Sequence, residues 1–305
     1  MDRVTLSAPA KLNLRLLVGS LQPDGYHPIR SLMVTLDGLA DTVTLSAASR
    51  RAVQCDGLDD RANLAWHALE ALEGATGRSL SCAVEIEKRI PMQAGLGGGS
   101  SDAAATLVGA NRLFGLGLDH AALEGVAAQI GSDVPFFIRG GAQWAEGRGE
   151  RLTPAPMPSF GAVIIAAPFG LATADVYRAF DRIPPPAPDD PVDPPPAMMP
   201  ALAGWVRNDL WPAAMSLAPD LETFARRLTS TGSRATLLCG SGSAVAGLFD
   251  DLSAARHQSF FFQMAVEPCE QFFYRARLRE TLAEQPDCFC VRNHAIRVEP
   301  EKPHE

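Results

Sequence analysis

Apolar and polar residues follow two periods along this chain, and each period predicts one kind of secondary structure. Alternation marks Lys11–Val18 and Cys82–Glu87, which predicts strands with one apolar face. Helical spacing marks Asn63–Glu73, Ala103–Phe114 and Asp119–Ile130, and each of these segments is followed directly by a glycine. The first half of the chain is therefore predicted to mix strands and helices.

Similar patterns continue to the end of the second half. Residues 184–200 are rich in proline, which predicts a loop rather than a core element. We take Gly161–Pro168, a buried type of strand, as the start of a second domain. The remaining predicted elements are strands at Ile29–Leu36, Asp41–Ser46, Ala235–Cys239 and Ala244–Phe249, and helices at Thr173–Tyr177, Asn208–Leu210 and Leu221–Leu228.

A glycine-rich loop, Gly95–Ser101, joins the strand Cys82–Glu87 to the helix that follows it. Without Cβ atoms, a ligand is able to approach the backbone closely, and the first N–H groups of a helix attract anions, above all phosphate. Ser100 and Ser101 add hydroxyl donors, and Lys88 adds a positive charge nearby. The loop is thus a candidate phosphate site, although a plain glycine turn with Ser100 as the helix N-cap is an equally good interpretation.

Three common phosphate or nucleotide motifs are excluded by missing residues. A P-loop requires Lys and then Ser or Thr after the last glycine, whereas Gly99 is followed by two serines. A dinucleotide-binding loop requires glycine where Ser100 stands. The His-Arg-Asp and Asp-Phe-Gly motifs of eukaryotic-type kinases are absent from the sequence.

Polar residues stand out at three other places. Lys11 and Asn13 share the polar face of the first predicted strand, where a solvated lysine is the ordinary interpretation. Tyr26 and His27 lie side by side in a predicted turn, which is compatible with a simple hairpin loop. Asp133 precedes a strongly apolar run, a costly place for a carboxylate unless a partner stabilises it or it caps a helix.

Composition narrows the class of protein. Apolar residues make up 47% of the 305 residues and charged residues 20%, which is typical of a soluble globular protein. The net charge of −8 and the lack of a basic block argue against nucleic acid as a partner. The six cysteines show no metal-ligand spacing, and no apolar run suggests a signal peptide or a membrane span. We therefore expect a cytoplasmic protein without a membrane partner.

Several of these segments together resemble a known family. Pro9–Leu14, Gly95–Ser101 and Gly240–Ser243 resemble, in this order, the three motifs of the GHMP kinase superfamily. Four more segments resemble one branch of it, whose substrate is a cytidyl diphosphate: Asp24–His27, Ser31–Met33, Gly131–Phe137 and Asn208–Leu210. The resemblance covers about residues 5–252, and the shared order of the motifs argues against chance.

The resemblance implies an α+β fold of two domains with the active site in the cleft between them. The expected N-terminal domain, residues 1–158, resembles ribosomal protein S5 domain 2 and binds ATP; the expected C-terminal domain, residues 159–254, is ferredoxin-like. Residues 255–305 are atypical for the family, and are interpreted as an added helix, a partner surface or the product of a frameshift. The proline-rich segment 184–200 is also longer than the family pattern.

The resemblance further implies roles for individual residues. Lys11 and Asp133 match the catalytic pair, while Tyr26 and Tyr177 match two rings that sandwich the cytosine. The substrate-binding set is Asn13, Tyr26, His27, Thr173 and Tyr177, and the ATP-binding set is Asn63, Lys88, Gly95, Leu96, Gly97, Gly98, Gly99, Ser100 and Ser101. No residue is predicted as a metal ligand.

The implied activity is ATP-dependent phosphorylation, with Mg²⁺, of a tertiary hydroxyl on a small cytidyl diphosphate substrate in non-mevalonate isoprenoid synthesis. The expected assembly is a monomer or a weak homodimer. Two alternatives stay open: another GHMP kinase of the mevalonate or homoserine type, and a non-catalytic nucleotide-binding regulator on the same fold. Tyr26 and His27 argue against the first, and Lys11 with Asp133 argues against the second.

Overall fold

A computed structural model describes residues 2–55, 60–184 and 195–257, together with the backbone of 288–291 and 297–298. Strands and helices are mixed along these residues, which confirms the expected α+β class. Among them, no helix combines the length and the apolar character that crossing a membrane requires.

The elements of the described residues are numbered in chain order. The strands are β1 (Arg3–Val18), β2 (Ile29–Ala47), β3 (Ala52–Cys55), β4 (Cys82–Glu87), β5 (Ala142–Gly147), β6 (Arg151–Pro154), β7 (Gly161–Ile165), β8 (Arg207–Asn208), β9 (Ala235–Leu238), β10 (Val245–Phe249), β11 (Cys288–Val291) and β12 (Arg297–Val298). The helices are α1 (Leu64–Thr76), α2 (Gly98–Leu113), α3 (His120–Ala127), α4 (Val134–Arg139), α5 (Thr173–Phe180), α6 (Met199–Trp205), α7 (Trp211–Leu217) and α8 (Leu221–Ser230). A 3-10 turn covers Asp60–Ala62, and residues 252–257 are helical.

The strands predicted at Ile29–Leu36 and Asp41–Ser46 are one continuous strand, β2, so the predicted break is wrong. In the antiparallel pairing of β1 with β2, Pro9 lies opposite Ala40 and the next residue of β1 lies opposite Leu36. The residues of β2 in between form a bulge, which bends the strand without ending it. One long strand therefore runs from the His27 loop to the far end of the first core.

Two other boundary predictions are corrected by tertiary packing. Helix α1 continues past Gly74, the predicted stop, and ends at Gly77, whose φ of 65° gives the left-handed C-cap. Packing of buried residues such as Leu72 outweighs the modest cost of a glycine within a helix. Asn208, predicted as helical, ends strand β8 instead.

The described strands form a single sheet, and its main path runs β12–β1–β2–β11–β7–β10–β9. Strands β4 and β5 also pair with β2, which makes β2 the most connected strand of this path. Strand β11 comes from the atypical tail and lies antiparallel between β2 and β7. The three interpretations of residues 255–305 concern mostly residues outside the described ranges, and most of the proline-rich loop does too.

Helix α2 crosses the inner face of β1 and β2 and forms the centre of the first hydrophobic core. A side chain at Gly109 would force Leu45 to move, because its Cβ would lie 2.4 Å from the end of the Leu45 side chain. A second core combines residues of β1 and β2 with residues of β7, β9 and β10. A third core packs α5, α7 and α8 against β7 and β10. The predicted domain boundaries at 158/159 and 254/255 stay predictions.

Candidate active site

The glycine loop begins helix α2, as predicted, but its serine does not cap the helix. The N-cap is Gly97, with φ 74°, and no side chain accepts from the first turn. Gly95 also has a positive φ, 76°, a conformation that side-chain-bearing residues rarely adopt. The first amides of α2 therefore lack side-chain caps, which is the arrangement that binds anions at helix starts.

The three predicted motif segments meet at this loop. The Lys11 amide donates to the Leu96 carbonyl over 2.9 Å, and the Ala244 amide donates to Ala94 over 3.2 Å. Gly95 packs directly on the second small-residue loop, because a Cβ at this position would lie 1.7 Å from the Cys239 oxygen. The structure thus brings together segments that lie far apart in the sequence.

Lys11 lies beneath the glycine loop and pairs with Asp133. Its Nζ is 3.4 Å from Asp133 Oδ2 and 2.5 Å from Asn13 Oδ1. A side chain at Gly97 would collide with Lys11, since its Cβ would be 2.9 Å from Lys11 Cγ. Asn13 is held in turn by Ser31, whose hydroxyl accepts from Nδ2 over 2.8 Å. Lys11, for which solvation is the ordinary interpretation of the sequence, is therefore buried and oriented.

Asp133 occupies the N-cap position of α4 without making a side-chain cap hydrogen bond. Its side chain is 32% exposed, whereas that of Lys11 is 5% exposed. The carboxylate is therefore partly exposed and at the same time paired with an ammonium. Of the two interpretations of Asp133, the ion pair fits this geometry and the capping role does not.

His27 and Tyr177 form an aromatic wall next to this pair. The ring centroids are 5.3 Å apart, and Phe180 meets His27 edge to face at 5.7 Å. His27 Nδ1 lies 2.8 Å from the Gly19 carbonyl, which orients the ring. Burial raises the pKa of the Tyr177 phenol to about 12, and the negative charge of Asp133 adds to the shift. The aromatic wall therefore lies close enough to the ion pair for the charge of Asp133 to act on Tyr177.

Tyr26 is not packed opposite Tyr177, where a preformed sandwich around the cytosine would place it. The structure brings His27, not Tyr26, against Tyr177, and Tyr26 is 54% exposed beneath the guanidinium of Arg148. The pairing of Tyr26 with Tyr177 around a base stays a prediction. Thr173, expected to bind substrate, begins α5 and pairs through its hydroxyl with Ser241 at 2.9 Å, and its substrate contact stays a prediction.

Lys88 is held by two carboxylates that the sequence did not single out. Its Nζ is 2.5 Å from Asp41 and 2.7 Å from Asp102, and a Cβ at Gly98 would lie 3.1 Å from this nitrogen. Burial lowers the pKa of Lys88, but Asp102 and Asp41 outweigh this effect and raise it. Lys88 thus anchors the glycine loop from below, and its contact with ATP stays a prediction.

Asn63, which the resemblance places in the ATP-binding set, is the N-cap of helix α1. Its side chain caps α1 by accepting from the Ala65 amide over 2.9 Å. The capping pattern of an asparagine before an apolar helix was available in the sequence. The partners of Lys88 were not, because Asp41 lies 47 residues away along the chain.

The start of α2 offers serine hydroxyls as ligands for Mg²⁺. Within the described ranges, no three or more His, Cys, Asp or Glu residues are grouped so that they would hold a metal ion. The hydroxyl of Ser101 is buried and has no hydrogen-bond partner among the described residues. Since Mg²⁺ prefers oxygen ligands and is bound largely through substrate phosphates, the serines of this turn fit an ion that arrives with the nucleotide.

Comparisons with known proteins agree with the geometry. The GHMP kinases N terminal domain matches residues 63–141. The 4-diphosphocytidyl-2-C-methyl-D-erythritol kinase of Rhodococcus jostii is 40% identical over 83% of this chain and 86% of its own length. A crystal structure of 4-(cytidine 5'-diphospho)-2C-methyl-D-erythritol kinase is 31% identical, with a TM-score of 0.71 over 94% of this chain and 98% of that one. A homoserine kinase from Cytophaga hutchinsonii, 16% identical with a TM-score of 0.69 over 98% of both chains, shares the fold alone.

Proposed function

Since this chain belongs to the 4-diphosphocytidyl-2-C-methyl-D-erythritol kinase family of GHMP kinases, we propose that it uses ATP to phosphorylate the tertiary 2-hydroxyl of 4-diphosphocytidyl-2-C-methyl-D-erythritol. This reaction serves non-mevalonate isoprenoid synthesis. The observation that carries the proposal is the ion pair between Lys11 and Asp133, set at 3.4 Å where the motif segments meet.

The glycine loop supplies the phosphate side of the reaction. Free amides at the start of α2 donate to the phosphates of ATP, and the helix dipole favours their negative charge. Gly95 to Ser101 surround the phosphates, while Leu96 fixes Lys11 through its carbonyl. Phosphoryl transfer needs positioning and charge stabilisation more than covalent chemistry, so a rigid loop of donors is sufficient for this half.

Asp133 and Lys11 act on the other reactant. Asp133 accepts the proton of the attacking hydroxyl, and because a carboxylate is a much weaker base than an alkoxide, the proton moves late in the reaction. Lys11 keeps Asp133 oriented and offsets negative charge on the transferring group. Asn13 holds the Lys11 ammonium at 2.5 Å, which supports a positioning role beside its contact with substrate.

The cytidyl end is bound by the aromatic wall. Tyr177 offers a face for stacking, and His27 offers its Nε2 for a hydrogen bond that selects cytosine, since its Nδ1 is bonded to the Gly19 carbonyl. Tyr26 closes over the second face of the base, and Thr173 lies near the same end. Mg²⁺, held by the ATP phosphates with the hydroxyls of Ser100 and Ser101, would supply neutralising charge when bound.

The deciding experiment measures ADP release by the purified chain with Mg-ATP. Wild-type protein is offered the cytidyl substrate, mevalonate or homoserine in parallel. Turnover confined to the cytidyl substrate supports the proposal, whereas turnover only on another alcohol keeps the fold and refutes the substrate. No turnover on any of them by a folded, ATP-binding protein would support a regulator instead.

Asp133→Asn provides the chemical test of the base. We expect kcat to fall about a hundredfold to ten-thousandfold, the usual contribution of a general base, with ATP binding retained. Asp119→Asn is the matched control, because Asp119 caps α3 through Ala122 and asparagine caps equally well. Near-normal turnover by Asp133→Asn would refute the proposed base.

A further inference from the structure

The substrate under the proposed function carries a diphosphate between its base and its reacting alcohol, and this inference rests on that function. At the base end the wall of His27, Tyr177 and Phe180 is aromatic, and Asp181 lies 3.3 Å from the His27 Nε2. Arg178, the neighbour of Tyr177 on α5, is paired with Asp175. At the reacting end, Lys11 is paired with Asp133 and hydrogen-bonded to Asn13. A dianionic linker next to such groups requires a further cation.

Arg148 lies on the turn between β5 and β6 and is fixed to the base-binding loop. Its guanidinium carbon lies 3.9 Å from the centroid of the Tyr26 ring. Nη2 donates to Asp24 Oδ2 over 2.8 Å, and the other oxygen of Asp24 accepts the Tyr26 amide over 3.0 Å. One carboxylate therefore holds the cation and the ring as one unit, which we name the Asp24–Tyr26–Arg148 unit.

The same turn also contacts the segment that carries the proposed base. A Cβ at Gly149 would lie 3.5 Å from the carbonyl oxygen of Ser132, the residue before Asp133. In the pairing of β2 with β5, Gly147 lies opposite Ile29, two residues after His27. Arg148 is thus flanked by the His27 loop on one side and the Asp133 segment on the other, the two ends that the diphosphate has to connect.

The Arg148 guanidinium has N–H donors that its ion pair with Asp24 does not use. Its ion pair with Asp24 uses Nη2, one of the two terminal nitrogens, and the side chain is 49% exposed. Arginine has five N–H donors in a planar fork that matches phosphate oxygens. The carboxylate of Glu150 accepts the backbone amide of Arg148 over 2.7 Å, which holds the turn rather than the fork.

We propose that Arg148 is a further substrate-binding residue, which stacks on Tyr26 and donates to the diphosphate of a cytidine diphosphate ester. Its contribution is specific to the phosphates. The base is bound by the aromatic wall, and the alcohol is bound near Asp133. Loss of the guanidinium should therefore weaken ligands that carry a diphosphate and spare those that do not.

The test compares wild-type protein with Arg148→Ala by steady-state kinetics and by calorimetric binding of CDP and of cytidine. We expect the KM for the cytidyl substrate and the Kd for CDP to rise about tenfold to a hundredfold, the loss typical of a charge-assisted hydrogen bond. The Kd for cytidine, the KM for ATP and kcat should stay within about twofold. Arg148→Lys should be intermediate, because it keeps the charge and loses the planar fork.

Arg30→Ala is the matched control. Arg30 is also a half-exposed cation stacked on an aromatic ring, 4.8 Å from Trp144, with Glu146 at 3.4 Å. This variant should leave all five constants unchanged. Equal weakening of CDP and cytidine by Arg148→Ala would overturn the proposal, since Arg148 would then only support Tyr26. Unchanged CDP binding would also overturn it, whereas wild-type binding without turnover of the cytidyl substrate would refute the proposed function alone.

Discussion

Asp102 is the residue at which burial and charge are most strongly opposed. Burial raises its pKa from 3.8 to about 7, although the Lys88 ammonium at 2.7 Å opposes the shift. The physical reason is that two buried carboxylates share one cation, so the cluster of Asp41, Lys88 and Asp102 carries an excess negative charge. A proton bound near neutral pH relieves this excess.

This shift predicts a pH dependence of stability. Between pH 4 and 7 the folded state holds a proton on Asp102 that the unfolded chain has released, so the free energy of unfolding falls as the pH rises through this window. The loss should be at most about 4 kcal/mol, because the shift from 3.8 to about 7 spans about three pKa units and each unit corresponds to about 1.4 kcal/mol. Urea denaturation at several pH values measures it.

Asp102→Asn should flatten that slope, because an amide does not titrate. Asp250→Asn is the control: Asp250 is exposed, and its hydrogen bond with Arg234 lowers its pKa, so this group does not give a slope of the same sign as Asp102. If both variants kept the wild-type slope, the titration would have to be assigned to another group.

The sequence predicted individual site residues where a local pattern carried the information. Asp133 stands out because it precedes an apolar run, and Lys11 because it shares a strand face with Asn13, whereas their catalytic role is implied by the resemblance to GHMP kinases. Arg148 and Asp41 were missed, because an exposed arginine in a turn and an aspartate in a strand have no local signal. Their roles arise from partners 124 and 47 residues away along the chain.

At the scale of elements, the glycine loop Gly95–Ser101 and the loop Gly240–Ser243 lie in close contact. This contact limits which residues are tolerated in either loop. Gly95 has a positive φ of 76°, and its Cβ position is occupied by the Cys239 oxygen at 1.7 Å. We expect Gly95→Ala to lower the free energy of unfolding by about 3 kcal/mol or more and to weaken ATP binding, since both loops have to move apart.

Gly115→Ala separates the cost of the positive φ from the cost of the close contact between the loops. Gly115 also has a positive φ, 57°, but nothing lies within 4 Å of its Cβ position. Its replacement should cost about 1–2 kcal/mol, the cost of left-handed backbone alone, with the KM for ATP unchanged. Equal effects of the two substitutions, measured by thermal unfolding and ATP titration, would mean that the loops are not in close contact.

Element boundaries were less predictable than element types. The alternation of β1 and the glycine loop with its helix are local signals, and both were predicted correctly. The break predicted within β2 was wrong, because Asp37 and Gly38 resemble a turn but are absorbed by a bulge opposite β1. A bulge depends on the partner strand, which no local pattern contains.

At the scale of the whole molecule, the tail of the chain joins the two halves of the sheet. Strand β11 places Val291 opposite Leu36 of β2 and Cys288 opposite Val163 of β7. β2 follows the His27 loop, and β7 precedes α5, the helix that carries Tyr177. The strand therefore couples both sources of the aromatic wall, a link that the atypical sequence of residues 255–305 did not predict.

Removal of residues 258–305 should therefore damage both stability and substrate binding. Loss of β11 leaves two unpaired strand edges in the middle of the sheet. The hydrogen bonds of this short strand correspond to about 3 kcal/mol, or a fall of roughly 6–12 °C in the midpoint of thermal unfolding. The KM for the cytidyl substrate should rise more than that for ATP, because β11 pairs with β2 and β7, the strands next to the aromatic wall. Truncation after Val298 keeps β11 and β12 and should preserve the unfolding midpoint and both KM values. An unchanged midpoint in the longer truncation would show that β2 and β7 are held together without the tail.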